Sequence, residues 1–235
     1  MEVLPVKQVK HNEDKNVKQP FVRPSFLGVI FGGVRSGKSC LLINLLYRVY
    51  DKEIFDGGIY FFSPNVNNDD IFETNVAIDD DIIKFDQDLD HVDLYVKAIV
   101  EKQKQVRKDQ RKHILLVFDD ILGFIKQGSY IANLCSRYRQ LKISLIFVTQ
   151  LFRGIPNVIR SNASWMVLFK TYNEKEKEKI TEEMGHIKDF EKHYDEATNK
   201  KYGFVYVNLK DMKVYDCFTR CLYDHDKDGF KKQQE

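Results

Sequence analysis

The chain has 235 residues, 43% of them hydrophobic and 13% aromatic, which is enough for one sizeable core and too aromatic for a disordered chain. Only 5 Pro and 12 Gly exclude a collagen-like or Pro/Gly-rich fibre. The formal charge of +2 hides segregation: Asp51 to Asp93 holds thirteen acids against two lysines, whereas Ile121 to Thr171 holds seven basic residues and no acid.

The stretch 97–112 adds seven basic residues against two acids, so a positive face able to meet phosphate backbones is expected. No apolar run approaches 18 residues, and the amino-terminal stretch lacks an apolar h-region. Neither a membrane span nor a signal peptide is expected, and the chain reads as soluble and intracellular. Cys40, Cys135, Cys217 and Cys221 form no CxxC pair and have no zinc spacing, so reduced, mostly buried thiols are expected.

Residues 1–24, polar and carrying Pro5, Pro20 and Pro24, read as a flexible or loosely docked arm. The domain expected over 25–222 opens with FLGVIFG (26–32), a continuous apolar run entering a Gly-rich turn, as a buried parallel strand does. CLLINLLYRVY (40–50) places Leu41, Leu42, Leu45, Leu46 and Val49 on one helical face. GIYFFS (58–63) is a second strand, ended by the turn former Ser63-Pro64-Asn65. The acidic segment 66–90 reads as loop with short helix, and 92–112 as a charged amphipathic helix. HILLVFDD (113–120) is the next buried strand, Tyr130–Gln140 a helix, and ISLIFVTQ (143–150) and ASWMVLFKT (163–171) further strands. NEKEKEKITEEMG (173–185) is a charged helix closed by Gly185, and 201–218 a hairpin turning around Asn208-Leu209-Lys210-Asp211. Residues 223–235 form a polar tail. The alternation predicts an α/β fold, a mainly parallel central sheet flanked by helices with a C-terminal β-hairpin.

Gly32-Gly33-Val34-Arg35-Ser36-Gly37-Lys38-Ser39 fits G-x-x-x-x-G-K-[ST] at every fixed position, after a strand and before a helix. Its backbone N–H groups can curl around phosphate oxygens, and the helix beginning there, with Cys40 in its first turn, offers its positive end. Lys38 is the candidate for the β- and γ-phosphates and Ser39 for Mg²⁺; the plainer alternative is a Gly-rich turn. Asp119 and Asp120 follow the apolar run Leu115–Phe118. Asp119 is assigned to the Mg²⁺ shell through water and Asp120 to the general base. Gln150, ending the neighbouring strand, can contact the γ-phosphate or its attacking water. A GTPase would need N-K-x-D, which does not occur. ATP with Mg²⁺ is therefore the expected ligand.

With GGVRSGKS (32–39), LLVFDD (115–120), RQLKISLIFVTQ (139–150) and IRSNAS (159–164), the chain resembles the viral genome-packaging ATPases of the FtsK–HerA superfamily, the poxvirus-type branch of large DNA viruses and virophages. The resemblance implies a P-loop NTPase with a RecA-like ASCE core, assembled as a pentameric or hexameric ring that drives double-stranded DNA into a preformed capsid. It implies a nucleotide between subunits and an arginine finger acting in trans. Arg139 and Arg160 are the candidates by motif position, Arg137 and Arg153 weaker ones; each has a surface or loop-anchoring role as its alternative. The loops Leu151–Asn157 and Lys126–Ser129 are the candidates for DNA contact. A docking partner at the capsid vertex and a place in the virion or the host cytoplasmic virus factory follow from the same resemblance. A nucleotide-dependent switch or scaffold, and a cellular or mobile-element DNA pump, are the competing readings.

Overall fold

The uninterrupted apolar runs form strands buried on both faces, as parallel strands sandwiched between helices must be. The computed structural model describes residues 17–125 and 128–228. The strands are β1 (Leu27–Phe31), β2 (Ile59–Phe62), β3 (Ile82–Phe85), β4 (Ile114–Asp119), β5 (Ile143–Thr149), β6 (Trp165–Phe169), β7 (Phe204–Asn208), β8 (Lys213–Asp216) and β9 (Arg220–Asp224). The helices are α1 (Lys38–Arg48), α2 (Asp70–Asn75), α3 (Val92–Gln105), α4 (Tyr130–Leu134), α5 (Asn157–Arg160), α6 (Glu174–Glu183), α7 (Phe190–Thr198) and α8 (His225–Asp228). One sheet runs β3-β2-β4-β5-β1-β6-β7-β8-β9, parallel as far as β6 and antiparallel from there.

Strand alternation divides the core into two layers. Leu27, Val29 and Phe31, with Leu116, Phe118, Leu145 and Phe147, share one layer with apolar residues of α3, α4, α6 and α7. Ile30, Val117, Ile146 and Val148 share the other with Leu42, Leu45 and Leu46 of α1 and Phe72 of α2. At the carboxyl ends of the strands Phe85, Phe62, Phe118 and Phe147 stack in a row, with centroids 4.5, 5.3 and 4.8 Å apart. This ladder floors the level at which the next residues, Ser63 and Asp119, leave the sheet.

β1 is pinned between its neighbours by two serines. Ser144 Oγ accepts from the backbone N–H groups of Ser25 and Phe26 at 3.0 and 3.3 Å. Ser164 Oγ accepts from Leu27 N–H at 3.2 Å and sits 3.1 Å from the Tyr138 hydroxyl.

The fold departs from the expectations at identifiable places. β3 lies in the acidic segment read as loop and short helix; it is an edge strand with Ile83 exposed, so it lacks a continuous buried run. The expected hairpin gains a third strand, β9, that passes residue 222, with Tyr223 buried and Asp224 paired to Lys213 at 3.0 Å. The helix expected over 92–112 stops at Gln105, because Gln103 Nε2 donates to the carbonyls of Lys112 and Leu141 (2.7 and 2.9 Å) and the chain folds back there. The helix expected from Tyr130 ends at Leu134, and Tyr138–Leu141 forms a separate 3-10 turn. Residues 17–24 are docked rather than loose: the Pro20 carbonyl accepts from the Tyr206 hydroxyl at 3.1 Å and the Val22 carbonyl from the Tyr50 hydroxyl at 2.9 Å. The rest of the expected arm, 1–16, and of the tail, 229–235, lies outside the described residues. Of the four cysteines only Cys135 is buried. Among the described residues no helix is long and apolar enough to cross a membrane.

Gly28 is the most closely approached of the described glycines, since a Cβ there would lie 2.1 Å from Cζ2 of Trp165. Both flanking layers are close-packed, so the indole cannot retreat without displacing Phe26 or Tyr206. Gly28→Ala is expected to destabilise the fold by about 3 kcal/mol. A denaturant titration should show a lower midpoint; an unchanged midpoint would mean that β6 shifts freely.

Candidate nucleotide site

β1 ends at Phe31 and hands the chain to the Gly32–Ser39 turn level with Thr149, whose carbonyl accepts from Gly32 N–H at 3.2 Å. Gly37, with φ 103, takes the left-handed conformation that only glycine adopts without cost and caps α1. A Cβ on Gly33 would meet nothing within 4 Å, so the backbone there is open to an incoming group. The Ser36 hydroxyl is buried without a hydrogen-bond partner, as a group awaiting a ligand would be. Val34, Arg35 and Cys40 are exposed around this turn. Lys38 bends back across the loop, its Nζ donating to the Gly33 carbonyl at 2.9 Å. Burial holds its pKa below the usual lysine value, against the opposing pull of Asp120, Asp119 and Asp69. Open amides, a helix N-terminus and a buried cation together suit a polyphosphate.

The carboxylates arrive from the other side of β5. Asp119 is 4% exposed and its Oδ2 accepts from Ser63 Oγ at 2.7 Å. Burial pushes its carboxyl up to about 7, although the Ser63 hydrogen bond acts the other way. Asp120 turns out of the strand with φ 51, and its Oδ2 accepts from Gln150 Nε2 at 2.7 Å. Because β5 lies between β1 and β4, Gln150 leaves the sheet flanked by the loop on one side and the acid pair on the other.

Two residues here were not singled out by the sequence reading. Ser63 was read only as part of a turn, yet it orients Asp119. Asp69 caps α2 by accepting from Ile71 and Phe72 N–H groups, and its Oδ2 accepts from Ser39 Oγ at 3.2 Å. An Asp before a short helix is a legible cap, but nothing in its spacing ties it to the loop. Ser39, Asp119 and Asp69 offer the hard oxygens that Mg²⁺ takes. No group of three or more His, Cys, Asp or Glu among the described residues could hold a metal by itself.

The arginines separate. Arg160 is held within its own chain, its Nε donating to Glu183 at 3.0 Å and its Nη1 to the Ile155 carbonyl, with the side chain 11% exposed. Arg153 lies against Glu176 at 3.2 Å. Arg137 and Arg139 are exposed, each against a tyrosine ring. Arg139 stands before the seven-residue β5, whose far end carries Gln150, so the strand alone puts it about 20 Å from its own phosphate loop. The loop after Gln150 is less exposed than expected: Phe152 is buried against Phe31 with centroids 5.6 Å apart, and Ile155 is buried beside it. Of the other loop proposed for DNA, Lys126 and Gln127 lie outside the described residues.

The chain is similar to several known proteins. The DNA packaging protein OPG160 of Variola virus is 24% identical over 162 residues, 67% of this chain and 57% of that protein. Its counterpart in Vaccinia virus (strain Copenhagen) is 24% identical over 157 residues, 65% of this chain and 56% of that protein. The chain thus spans somewhat more than half the length of these curated relatives. Among solved structures, the DNA-packaging ATPase B204 from Sulfolobus Turreted Icosahedral Virus superposes with a TM-score of 0.61 at 16% identity, covering 83% of this chain and 97% of that one. The conjugation coupling protein TcpA of pCW3 gives 0.52 at 16% identity, covering 88% and 65%. These likenesses show a shared fold, mixed α/β with a mostly parallel central sheet. Residues 12–199 match the family described as Poxvirus A32 protein, and the chain belongs to that family.

Proposed function

We propose that this chain is an ATP-hydrolysing motor that moves double-stranded DNA during packaging of a viral genome. It works as a pentameric or hexameric ring at a capsid vertex, in the virion, the cytoplasmic virus factory of the host, or both. One observation carries the chemistry: Gln150 and Asp120, just past the ends of β5 and β4, are joined at 2.7 Å on the side of the sheet where buried Lys38 opens α1, so that three separate stretches of chain meet. Membership of the A32 family and the names of the packaging relatives support the biological role.

The roles follow from position. Backbone amides of Gly33 to Ser39 hold the phosphates, and Lys38 exchanges its bond to the Gly33 carbonyl for the terminal phosphoryl oxygens. Bound Mg²⁺ would neutralise charge on those oxygens; Ser39 and Asp119 would hold it, with Asp69 and Ser63 orienting their oxygens. Asp120 has one carboxylate oxygen engaged by Gln150 and the other left to polarise the attacking water, the pair acting together to aim it. Arg139, exposed and remote from its own loop, is the arginine that can reach a neighbour's nucleotide. Arg111 donates to the Gln140 carbonyl at 3.0 Å, which brings the basic end of the α3 region beside it. A guanidinium so placed suits the charge that develops on the transferring phosphoryl group.

Lys38→Ala should abolish ATP hydrolysis while leaving the circular dichroism spectrum unchanged, and wild-type turnover should rise with double-stranded DNA. Undiminished turnover in the variant would defeat the nucleotide assignment; turnover indifferent to DNA would favour a switch over a motor. Asp120→Asn should retain nucleotide but lose turnover by roughly 10²–10⁴-fold. Normal hydrolysis by that variant together with a dead Asp119→Asn would reverse the two roles. Arg139→Ala should bind ATP normally and hydrolyse it roughly 10³-fold more slowly. Mixed rings of Arg139→Ala and Lys38→Ala subunits should regain activity, because some interfaces then pair an intact loop with an intact arginine; no regain in verified mixed rings would mean that Arg139 does not act in trans.

A further inference from the structure

The phosphate loop forms one wall of a cavity of about 930 Å³ whose other walls come from distant parts of the chain. Phe21 of the docked amino-terminal segment, Phe169 at the end of β6, Phe204 of β7, Phe218 of the turn before β9, and Tyr202 enclose it. Phe21 and Phe218 lie 4.7 Å apart and Phe204 and Phe218 5.0 Å apart, so the aromatic wall is continuous. Tyr202 is 60% exposed and held at φ 60, a conformation that a bulky side chain adopts only under constraint. Its ring is close to the loop: a Cβ on Gly37 would lie 3.4 Å from Tyr202 Cδ1. A flat apolar group attached to a phosphate chain seated on residues 33–39 has this cavity directly beside it.

We propose that the cavity receives the nucleobase by stacking, with Tyr202 as its platform, and that it accepts adenine and guanine alike. This rests on the loop binding a nucleoside triphosphate. Away from the loop, the polar side chains of the α1 wall are Asn44 and Arg48. Asn44 Nδ2 is engaged by the Cys40 carbonyl at 2.8 Å, which leaves Oδ1 as an acceptor. Arg48 offers only donors. Adenine presents an N7 acceptor and an amino donor; guanine presents N7 and O6 acceptors and its own N–H donors. One acceptor and one donor group on a wall otherwise built for stacking therefore satisfy either purine. Strong discrimination needs buried polar groups left unpaired by the wrong base; among the described residues lining the cavity, the one unpaired buried hydroxyl is that of Ser36, which belongs to the phosphate loop rather than to the aromatic wall.

Calorimetric titration of the full chain with ATP, GTP and inorganic tripolyphosphate, each with Mg²⁺, tests this. ATP and GTP should bind within about tenfold of each other. Tyr202→Ala should weaken both by roughly tenfold to a hundredfold, the range for loss of one base–aromatic stack, and leave tripolyphosphate within twofold. Tyr202→Phe should bind as wild type. Tyr202→Ala that weakens tripolyphosphate equally, or leaves ATP unchanged, overturns the platform; a preference for ATP above a hundredfold overturns the tolerance. Lys38→Ala separates the two levels: it should weaken all three ligands, and its failure to do so would remove the triphosphate reading itself while saying nothing of Tyr202.

Discussion

The register of β1 between β5 and β6 is the constraint on which the site depends. The central strand enters the sheet with three backbone N–H groups, of Ser25, Phe26 and Leu27, that are satisfied by side-chain hydroxyls of Ser144 and Ser164. Losing either acceptor would leave a buried donor unpaired. With its start fixed, the strand pairs Phe31 with Thr149, while β5 pairs Val148 with Asp119. The loop, Gln150 and the acids therefore emerge at one level. The motif serines that accompany the more obvious chemistry thus act as pins for the backbone, and Tyr138 joins them through its hydroxyl.

The site's electrostatics follow from the same level being buried. Lys38 and Asp119 sit at 9% and 4% exposure, and each is shifted toward its neutral form by loss of water. Their mutual attraction opposes this without cancelling it. Such a pair is costly to keep empty and suited to a ligand that brings both phosphate and cation, since each then meets an opposite charge in a dry place.

The sequence made the central parallel strands legible because each is a buried apolar run with little else to be. It made the loop, Asp119, Asp120 and Gln150 legible because their spacing is tied to strand ends. β3 escaped because an edge strand needs only one apolar face, and Ile83 and Lys84 dilute that signal within an acidic segment. β9 escaped because it straddles residue 222, after which the polar tail is expected, and its Arg220, Cys221 and Asp224 give no apolar run. Asp69 was hidden among many acids, and Ser63 inside a turn. What distinguishes them is a contact across 30 and 56 positions of chain respectively, which no local pattern encodes. Arg160 fitted its motif but is occupied by Glu183, a partner on a helix whose acids looked merely solvated.

The connection from β5 to β6 has a mechanical side. It begins next to Gln150, sinks Phe152 and Ile155 into the core, and is clasped to α6 twice. Glu176, itself buried, takes both the backbone N–H and Nε of Arg153, and Glu183 takes Arg160 about two turns further along the same helix. A segment tied at both ends and packed in the middle has no slack in which to absorb a displacement. Gln150 and α6 are thereby joined through a packed and ion-paired connection rather than a loose loop.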